Sequence, residues 1–293
     1  MLPASFTPDL LRQLELLKIR SRRSFLGTRQ GGHVSLKRGH GIEFADYRKY
    51  EPGDNPRDID WGVYARSERL YVKTFREEQD LKVFMLIDTS ASMLVPPGDR
   101  KWEKACEIAM ALAYVALMEQ DSVSVVAPGT FYSPSYCGGR AIHQLGNRLL
   151  SLKPDARKDP LSSMRAAISR VRYPGVAILI SDFLMPFAFI REIFNGLRAR
   201  NMDITAVQVL GPGEIEPLTG IESARAVDSE TGEEIEITMD QDARNHYGLL
   251  LMDHNQRLQD FLAESRIAYC LALSRQDLGE FLLDNLARTG LLK

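Results

Sequence analysis

Cysteine is scarce in this chain of 293 residues. The three cysteines are an odd number, lie far apart and show no Cys-x-x-Cys spacing; they are Cys106, Cys137 and Cys270. We therefore expect free thiols in a reducing compartment, and neither a disulfide framework nor a zinc knuckle. A Gly-Lys-Ser or Gly-Lys-Thr phosphate loop is also missing, which predicts that the protein does not hydrolyse ATP by itself.

Long hydrophobic runs are missing too. The longest apolar run, residues 108–118, falls well short of the roughly 18 to 20 residues that a membrane span needs. The N-terminus has no basic segment followed by an apolar core, so no secretion signal is predicted. An excess of one charge is also absent, because 37 basic and 39 acidic residues give a net charge of −2. These absences predict a soluble, cytoplasmic protein with no membrane span and no nucleic-acid partner.

The composition that is present is ordinary for a globular protein, with 44% hydrophobic and 26% charged residues. The charge is unevenly distributed. Residues 1–76 carry 15 basic and 9 acidic side chains, whereas residues 77–293 carry 22 and 30. Either two surfaces of one protein attract each other, or the basic stretch is a face on which a partner docks.

The first 80 residues predict two different segments. Residues 1–23 are typical of an amphipathic helix, with Thr7 as its cap, Pro8 at its first position and leucines at helical spacing. Such a helix either packs on its own protein or touches a membrane surface peripherally. Residues 24–80 contain short alternating stretches broken by Gly and Pro, which predicts a β-rich segment of strands and tight turns.

From residue 81 to residue 293 the pattern alternates between strands and helices. Strands are predicted at 83–87, 122–127, 176–180, 204–210 and 267–273, and helices at 101–118, 140–152, 160–172, 187–200, 241–265 and 276–286. Residues 131–136 are predicted to pair with the second strand, and a β-hairpin insertion is predicted within residues 211–240. This alternation predicts an α/β fold, a Rossmann-like, doubly wound, mostly parallel sheet with helices on both faces.

Oxygen-bearing side chains follow two of the predicted strands. Asp88, Ser90 and Ser92 form an Asp-x-Ser-x-Ser pattern after the first strand, and Asp182 follows the third. Ligands bind at the carboxyl edge of such sheets, and adjacent parallel strands would bring Asp88 and Asp182 close together there. Their oxygens suit Mg²⁺, which takes six oxygen ligands and retains several waters. The alternative is that the two serines only cap a helix.

This pattern resembles the metal-ion-dependent adhesion site of von Willebrand factor type A domains. In that family an Asp and two Ser on one loop, a Thr on a second and an Asp on a third hold Mg²⁺ or Mn²⁺, and a carboxylate of a partner fills an open position. The resemblance implies a metal-binding role for Asp88, Ser90, Ser92 and Asp182. The second loop departs from the family, because Asp159 stands where Thr is expected, with Ser162 and Ser163 nearby. A carboxylate there implies tighter or altered metal binding, or loss of the metal.

A longer match lies upstream of this pattern. Four segments are similar to the signature of the domain-of-unknown-function 58 family: Arg38-Gly39-His40-Gly41-Ile42-Glu43-Phe44, Arg48-Lys49-Tyr50-Glu51-Pro52-Gly53-Asp54-Asn55-Pro56-Arg57-Asp58-Ile59-Asp60-Trp61, Ala65-Arg66 and Leu70-Tyr71-Val72-Lys73. That family is bacterial and archaeal, and its members often accompany MoxR-type AAA+ ATPases. The resemblance therefore implies an adaptor or chaperone-like role beside such an ATPase.

The charges of this signature are interleaved. Arginines alternate with acidic residues, as in Arg48, Asp54 and Arg57. Such interleaving predicts a network of charge-assisted hydrogen bonds that holds the loops together. The alternative is a docking surface with Tyr50 and Trp61 as aromatic anchors.

Together these patterns predict a non-enzymatic, metal-dependent protein–protein interaction module. Its Mg²⁺ (or Mn²⁺) would be held by Asp88, Ser90, Ser92, Asp159 and Asp182 and would bind an Asp or Glu of an AAA+ ATPase or of its client. Two alternatives stay open. One is a Mg²⁺-dependent, phosphatase-like hydrolase in which Asp88 attacks phosphorus, although Ser90 stands where that chemistry needs a second Asp. The other is a structural scaffold with a degenerate metal site.

Overall fold

The computed structural model describes ten stretches of the chain: 3, 5–22, 33–35, 43–54, 56–154, 159–172, 174–216, 223–227, 234–238 and 240–293. The chain divides into two units, one of residues Arg22–Leu81 and one of Met1–Ser21 with Lys82–Lys293. The strands are β1 (His33–Ser35), β2 (Glu43–Lys49), β3 (Tyr71–Gln79), β4 (Lys82–Ile87), β5 (Ser122–Ala127), β6 (Phe131–Tyr132), β7 (Tyr136–Cys137), β8 (Val176–Ser181), β9 (Asp203–Leu210), β10 (Ser223–Val227), β11 (Glu234–Thr238) and β12 (Ala268–Leu273).

The helices are α1 (Pro8–Leu14), α2 (Trp61–Ser67), α3 (Lys101–Met118), α4 (Ala141–Ser151), α5 (Pro160–Ser169), α6 (Phe187–Arg198), α7 (Pro212–Ile215), α8 (Gln241–Glu264) and α9 (Leu278–Glu280). The helices predicted between residues 101 and 265 begin and end close to their expected positions, whereas α1 is shorter than predicted and α2 and α7 were not predicted. Helix α9 continues as a π-helical turn over Phe281–Leu286, where the sequence predicted one regular helix.

The smaller unit is built on an antiparallel sheet of order β1–β3–β2. Its helix α2 begins at Asp60, whose Oδ1 accepts from the Gly62 and Val63 N–H groups, while Oδ2 accepts from the Tyr47 hydroxyl at 2.9 Å. Arg48 forms an ion pair with Asp54. These contacts are of the kind that the interleaved charges predict. Residues 24–32, 36–42 and 55 of the predicted β-rich segment lie outside the described residues.

The larger unit holds a mostly parallel sheet of order β12–β9–β8–β4–β5–β6, with β7 paired to β5. Strands β4, β5, β8, β9 and β12 run parallel, whereas the short β6 and β7 run antiparallel to β5. The predicted α/β class with a mostly parallel sheet is confirmed, and the hairpin β10–β11 lies within the predicted insertion. Residues 131–136 form two short strands rather than one.

Helices cover both faces of this sheet. One apolar cluster joins residues of β4, β8 and β9 to buried side chains of α5, α6 and α8, among them Met164, Phe194 and Leu258. Helix α3 lies outside that cluster, although it contacts β4, β5, β8 and β9. Its side chains are buried nearly all round because it is rich in alanine and aliphatic residues, which is typical of a helix enclosed in a core.

The N-terminal helix is shorter than predicted and packs on the larger unit. Thr7 caps α1, as expected, by accepting from the Leu10 N–H at 3.2 Å. The helix ends at Leu14, and the chain then pairs with the C-terminus through an antiparallel bridge between Ile19 and Leu292. Since Leu10 and Leu14 are buried, the apolar side of α1 is used inside the protein. Across the described residues, no helix has the length and apolar character to cross a bilayer.

Candidate functional site

The parallel sheet has a switch point between β4 and β8. From these adjacent strands the chain leaves in opposite directions, to β5 through α3 and to β9 through α6. Ligands of doubly wound sheets bind in the crevice beyond the carboxyl ends of such strands. Asp88 follows β4 and Asp182 follows β8, and the Asp88 N–H donates to the Ile180 carbonyl at 2.9 Å. Both carboxylates therefore lie at the switch point.

The Asp88 carboxylate is buried and accepts a hydrogen bond on each oxygen. Its Oδ1 accepts from the Ser90 N–H at 2.9 Å, and its Oδ2 accepts from the Ser181 hydroxyl at 2.5 Å. Burial, together with the nearby charge of Asp182, raises the pKa of Asp88 to about 6, and the bonds from Ser181 and Ser90 oppose this rise. Ionising Asp88 in the folded protein therefore costs free energy, and a neighbouring cation would reduce that cost.

The two serines of the Asp-x-Ser-x-Ser pattern bring their hydroxyls together. Ser90 Oγ and Ser92 Oγ lie 3.0 Å apart. Ser90 precedes a 3₁₀ turn over Ala91–Leu94, but its side chain makes no capping hydrogen bond there. The helix-capping interpretation therefore does not account for Ser90. Two ligands at right angles around Mg²⁺, each about 2.1 Å from the ion, would be about 3.0 Å apart.

A buried lysine joins this site. The Lys101 ammonium donates to Asp182 Oδ2 at 2.9 Å and also to Glu214 Oε1. The side chain of Lys101 is fully inaccessible to solvent, and those of Asp182 and Glu214 are at most 9% exposed. Asp182 Oδ1 accepts from the Leu184 N–H at 3.2 Å. The carboxylate of Asp182 is thus held on both oxygens.

The turn after β9 places Glu214 beside Lys101. Glu214 Oε2 accepts from the Gly211 N–H at 2.9 Å, and Asp99 Oδ2 accepts from the Gly213 N–H at 2.8 Å. A Cβ on Gly211 would lie 2.1 Å from Asp99 Oδ2, so this close approach requires glycine. Burial raises the pKa of Glu214, and the ammonium of Lys101 opposes that rise. The Lys101 ammonium therefore joins the segment that follows β8 to the segment that follows β9.

Two residues with strained backbone lie next to the ion triad, the group formed by Lys101, Asp182 and Glu214. Arg100, directly before Lys101, has φ 54°, and Phe183, directly after Asp182, has φ 55°. Left-handed conformations are unfavourable for side chains of this size and are concentrated at functional sites. Phe183 is also buried and stacks on Phe194. The packing around the sheet therefore holds Lys101 and Asp182 in place, although the left-handed conformation of their neighbours is energetically unfavourable.

Asp159 does not join this group. It caps α5, because Oδ1 accepts from the Leu161 N–H at 3.2 Å and Oδ2 from the Ser162 N–H at 3.0 Å. These hydrogen bonds, with that to Ser162 first, lower the pKa of Asp159. No group of three or more His, Cys, Asp or Glu side chains in the described stretches is arranged to hold a metal ion. The inclusion of Asp159 in the predicted ligand set finds no support in this geometry.

Replacing Asp159 by alanine tests this assignment. We expect the melting temperature to fall by about 2–4 °C, because one helix cap is lost. Asp159→Asn should retain the stability of the wild type, since asparagine also caps helices. Calorimetric Mn²⁺ titration of both variants should give the wild-type affinity. A loss of Mn²⁺ binding in Asp159→Ala would show that Asp159 is a ligand after all.

Sequence reasoning missed Lys101, Glu214 and Ser181. One signal for Lys101 was available: a lysine in the first turn of a helix is opposed by the helix dipole and needs a local reason. Ser181 directly precedes Asp182 and could have been read as a second hydroxyl at the same strand end. Glu214 carried no signal, because its role depends on the turn that follows β9.

The curated proteins similar to this chain have no assigned function. Uncharacterized protein Mb1516 of Mycobacterium bovis and Uncharacterized protein Rv1480 of Mycobacterium tuberculosis are each 27% identical to it over 257 residues. The alignment covers 84% of this chain and 79% of each relative. These relatives name no cofactor, substrate or partner.

Two solved structures align at low similarity. The conserved hypothetical protein BatB from Bacteroides thetaiotaomicron has a TM-score of 0.42 and 13% identity, covering 72% of this chain and 98% of that chain. An aerotolerance-related membrane protein from Bacteroides fragilis, with multiple mutations to serines, has a TM-score of 0.40 and 18% identity, covering 72% and 96%. A likeness at this level says nothing about the function of this chain.

The predicted cytoplasmic location is not retained; one of the two matched structures is described as an aerotolerance-related membrane protein. The prediction rested on the absence of a leader and of a membrane span, and neither absence identifies a compartment. We therefore do not assign the chain to the cytoplasm.

The family resemblance seen in the signature segments is confirmed. A family model described as Protein of unknown function DUF58 matches residues 46–257. The match includes the smaller unit's helix α2, and both Asp88 and Asp182 at the switch point. Because the matched residues make up more than half of the sequence, the chain belongs to the DUF58 family of proteins of unknown function.

Proposed function

We propose that this chain is a non-enzymatic protein-interaction module of the von Willebrand factor type A kind. In this proposal the module binds a divalent cation at the switch point and presents it to an acidic side chain of a partner protein. The observation that carries the proposal is the convergence of Asp88, Ser90 and Ser92 beside Asp182 at the carboxyl ends of β4 and β8.

Four side chains at the switch point could supply some of the oxygen ligands that a hard cation needs. Ser90 and Ser92 supply hydroxyl oxygens at the spacing of neighbouring ligands, and Asp88 and Asp182 supply negative charge. Asp159 is not part of this set, so water would complete the coordination sphere. When bound, the cation would supply an open position that accepts a carboxylate. The chain's own residues would hold and orient it, and no bond would be made or broken.

The partner is defined first by its chemistry, as a protein that offers an Asp or Glu. The comparisons reported above name no ATPase. The signature resemblance implies a MoxR-type AAA+ ATPase, which is therefore the first partner to test. We expect the full chain to bind that ATPase in Mg²⁺, as measured by biolayer interferometry, and to release it in a chelator. Asp88→Ala should abolish the binding and Asp159→Ala should leave it intact. Equal binding by Asp88→Ala would overturn the proposal.

A phosphatase-like hydrolase is the weaker candidate. A nucleophilic carboxylate needs an accessible oxygen, whereas Asp88 is 1% exposed and accepts hydrogen bonds on both oxygens. The position two residues later holds Ser90 instead of an acid. Sustained Mg²⁺-dependent hydrolysis of p-nitrophenyl phosphate, lost in Asp88→Asn, would favour this candidate over the binding module.

A further inference from the structure

Lys101 is buried where a lysine is electrostatically unfavourable. It occupies the first position of α3, where the helix dipole repels a cation, and its side chain is fully inaccessible to solvent. Two carboxylates compensate this cost, Asp182 and Glu214. Such a residue acts as an internal counter-ion for the acids around it.

The charges around Lys101 do not balance. Asp88, Asp182 and Glu214 are three buried acids that interact with one another or with the same ammonium. With all of them ionised, one ammonium leaves a net charge of −2 on this group. Burial of uncompensated charge is costly, so the group attracts a further cation. A divalent cation beside Asp88 would neutralise it.

We propose that Lys101 sets the affinity of the Asp88 site for divalent cations, because its ammonium and the cation share the Asp182 carboxylate. This inference rests on the proposed metal-binding function and deepens it. Asp182 Oδ2 is hydrogen-bonded to Lys101 at 2.9 Å, so a cation competes with the ammonium for that oxygen. The positive charge of Lys101 also repels a second cation within the same buried region.

This arrangement favours a weakly held, hydrated ion. With Asp182 shared, a cation keeps Asp88 and the hydroxyls of Ser90 and Ser92 as neighbours and retains several waters. Mg²⁺ and Mn²⁺ suit such a site better than ions that demand many carboxylates, because Mg²⁺ dehydrates reluctantly. Lys101 is therefore a positioning residue for the site, acting through Asp182.

The test is calorimetric titration of the metal-depleted full chain with MnCl₂ and with MgCl₂. Lys101→Met should bind Mn²⁺ at least about tenfold more tightly than the wild type, because the competing charge is gone. Glu214→Gln should bind more weakly, because Lys101 is then held by Asp182 alone. Lys104→Gln is the matched control: Lys104 is a buried lysine on the same helix that donates to the Gln276 carbonyl, and its loss should leave the affinity unchanged.

The outcomes separate this inference from the proposed function. If the wild type binds Mn²⁺ and Lys101→Met binds equally or more weakly, the inference is wrong and the function stands. If only Lys101→Met binds, the function fails in the natural protein, and Lys101 excludes the cation. If neither binds, both fail. Should Lys101→Met not fold, Glu214→Gln decides, since unchanged or tighter binding by that variant contradicts a shared Asp182.

Discussion

Replacing Lys101 by methionine is expected to lower the free energy of unfolding by about 3–5 kcal/mol in the absence of divalent cations. Methionine has a similar length and keeps the core filled, but it leaves Asp182 and Glu214 buried without a counter-ion. The loss therefore comes from uncompensated charge rather than from a cavity. Urea unfolding at pH 7.5 in a chelator measures it.

A double variant separates the charge effect from lost packing. Lys101→Met combined with Glu214→Gln removes one acid together with the ammonium, so it should recover part of the stability lost by Lys101→Met. Additive losses in the double variant would contradict the triad, because residues that form one ion network couple by about 0.5–3 kcal/mol.

Replacing Asp88 by asparagine is expected to stabilise the metal-free protein at neutral pH. The pKa of this buried acid is raised to about 6, so ionising it at pH 7.5 costs the folded state up to about 3 kcal/mol. Asparagine avoids that cost and can keep both contacts, accepting from the Ser90 N–H and donating to Ser181 Oγ. Asp88→Asn should therefore melt at a higher temperature than the wild type in a chelator.

The pH dependence of the stability difference between Asp88→Asn and the wild type identifies its cause. Between pH 4 and pH 6 the folded wild type retains a proton on Asp88 that the unfolded chain releases, so its stability falls as the pH rises. The asparagine variant lacks this proton. The two proteins should be equally stable near pH 4, and the variant should gain its full advantage above pH 7. A difference independent of pH would contradict the raised pKa of Asp88.

The sheet and one part of the site follow from the sequence by a short physical argument. Continuous apolar stretches such as Val176–Ser181 indicate strands buried on both faces, and these are parallel in α/β folds. Parallel strands end at a common edge, so Asp88 and Asp182 were expected at that edge, whereas the pairing of β4 with β8 that brings them together is seen in the structure. Because β4 and β8 are neighbours and the chain leaves them in opposite directions, the switch point lies between them.

The ion triad could not be predicted in the same way. Lys101, Asp182 and Glu214 are separated by tens of residues in the chain, and their meeting depends on the turn at Gly211. Sequence periodicity carries no information about such convergence. Asp159 was different, because an Asp before a Pro at the start of a helix is a capping pattern.

Thermal unfolding of the chelated full chain, with and without Mg²⁺ or Mn²⁺, tests the central claim that the Asp88 group binds a divalent cation. At a hundred times its Kd the ion should add about 2.7 kcal/mol, which raises the melting temperature by roughly 5–10 °C. The shift should vanish in Asp88→Ala and persist in Asp159→Ala. The absence of a shift in the wild type, or an equal shift in Asp88→Ala, would contradict the claim.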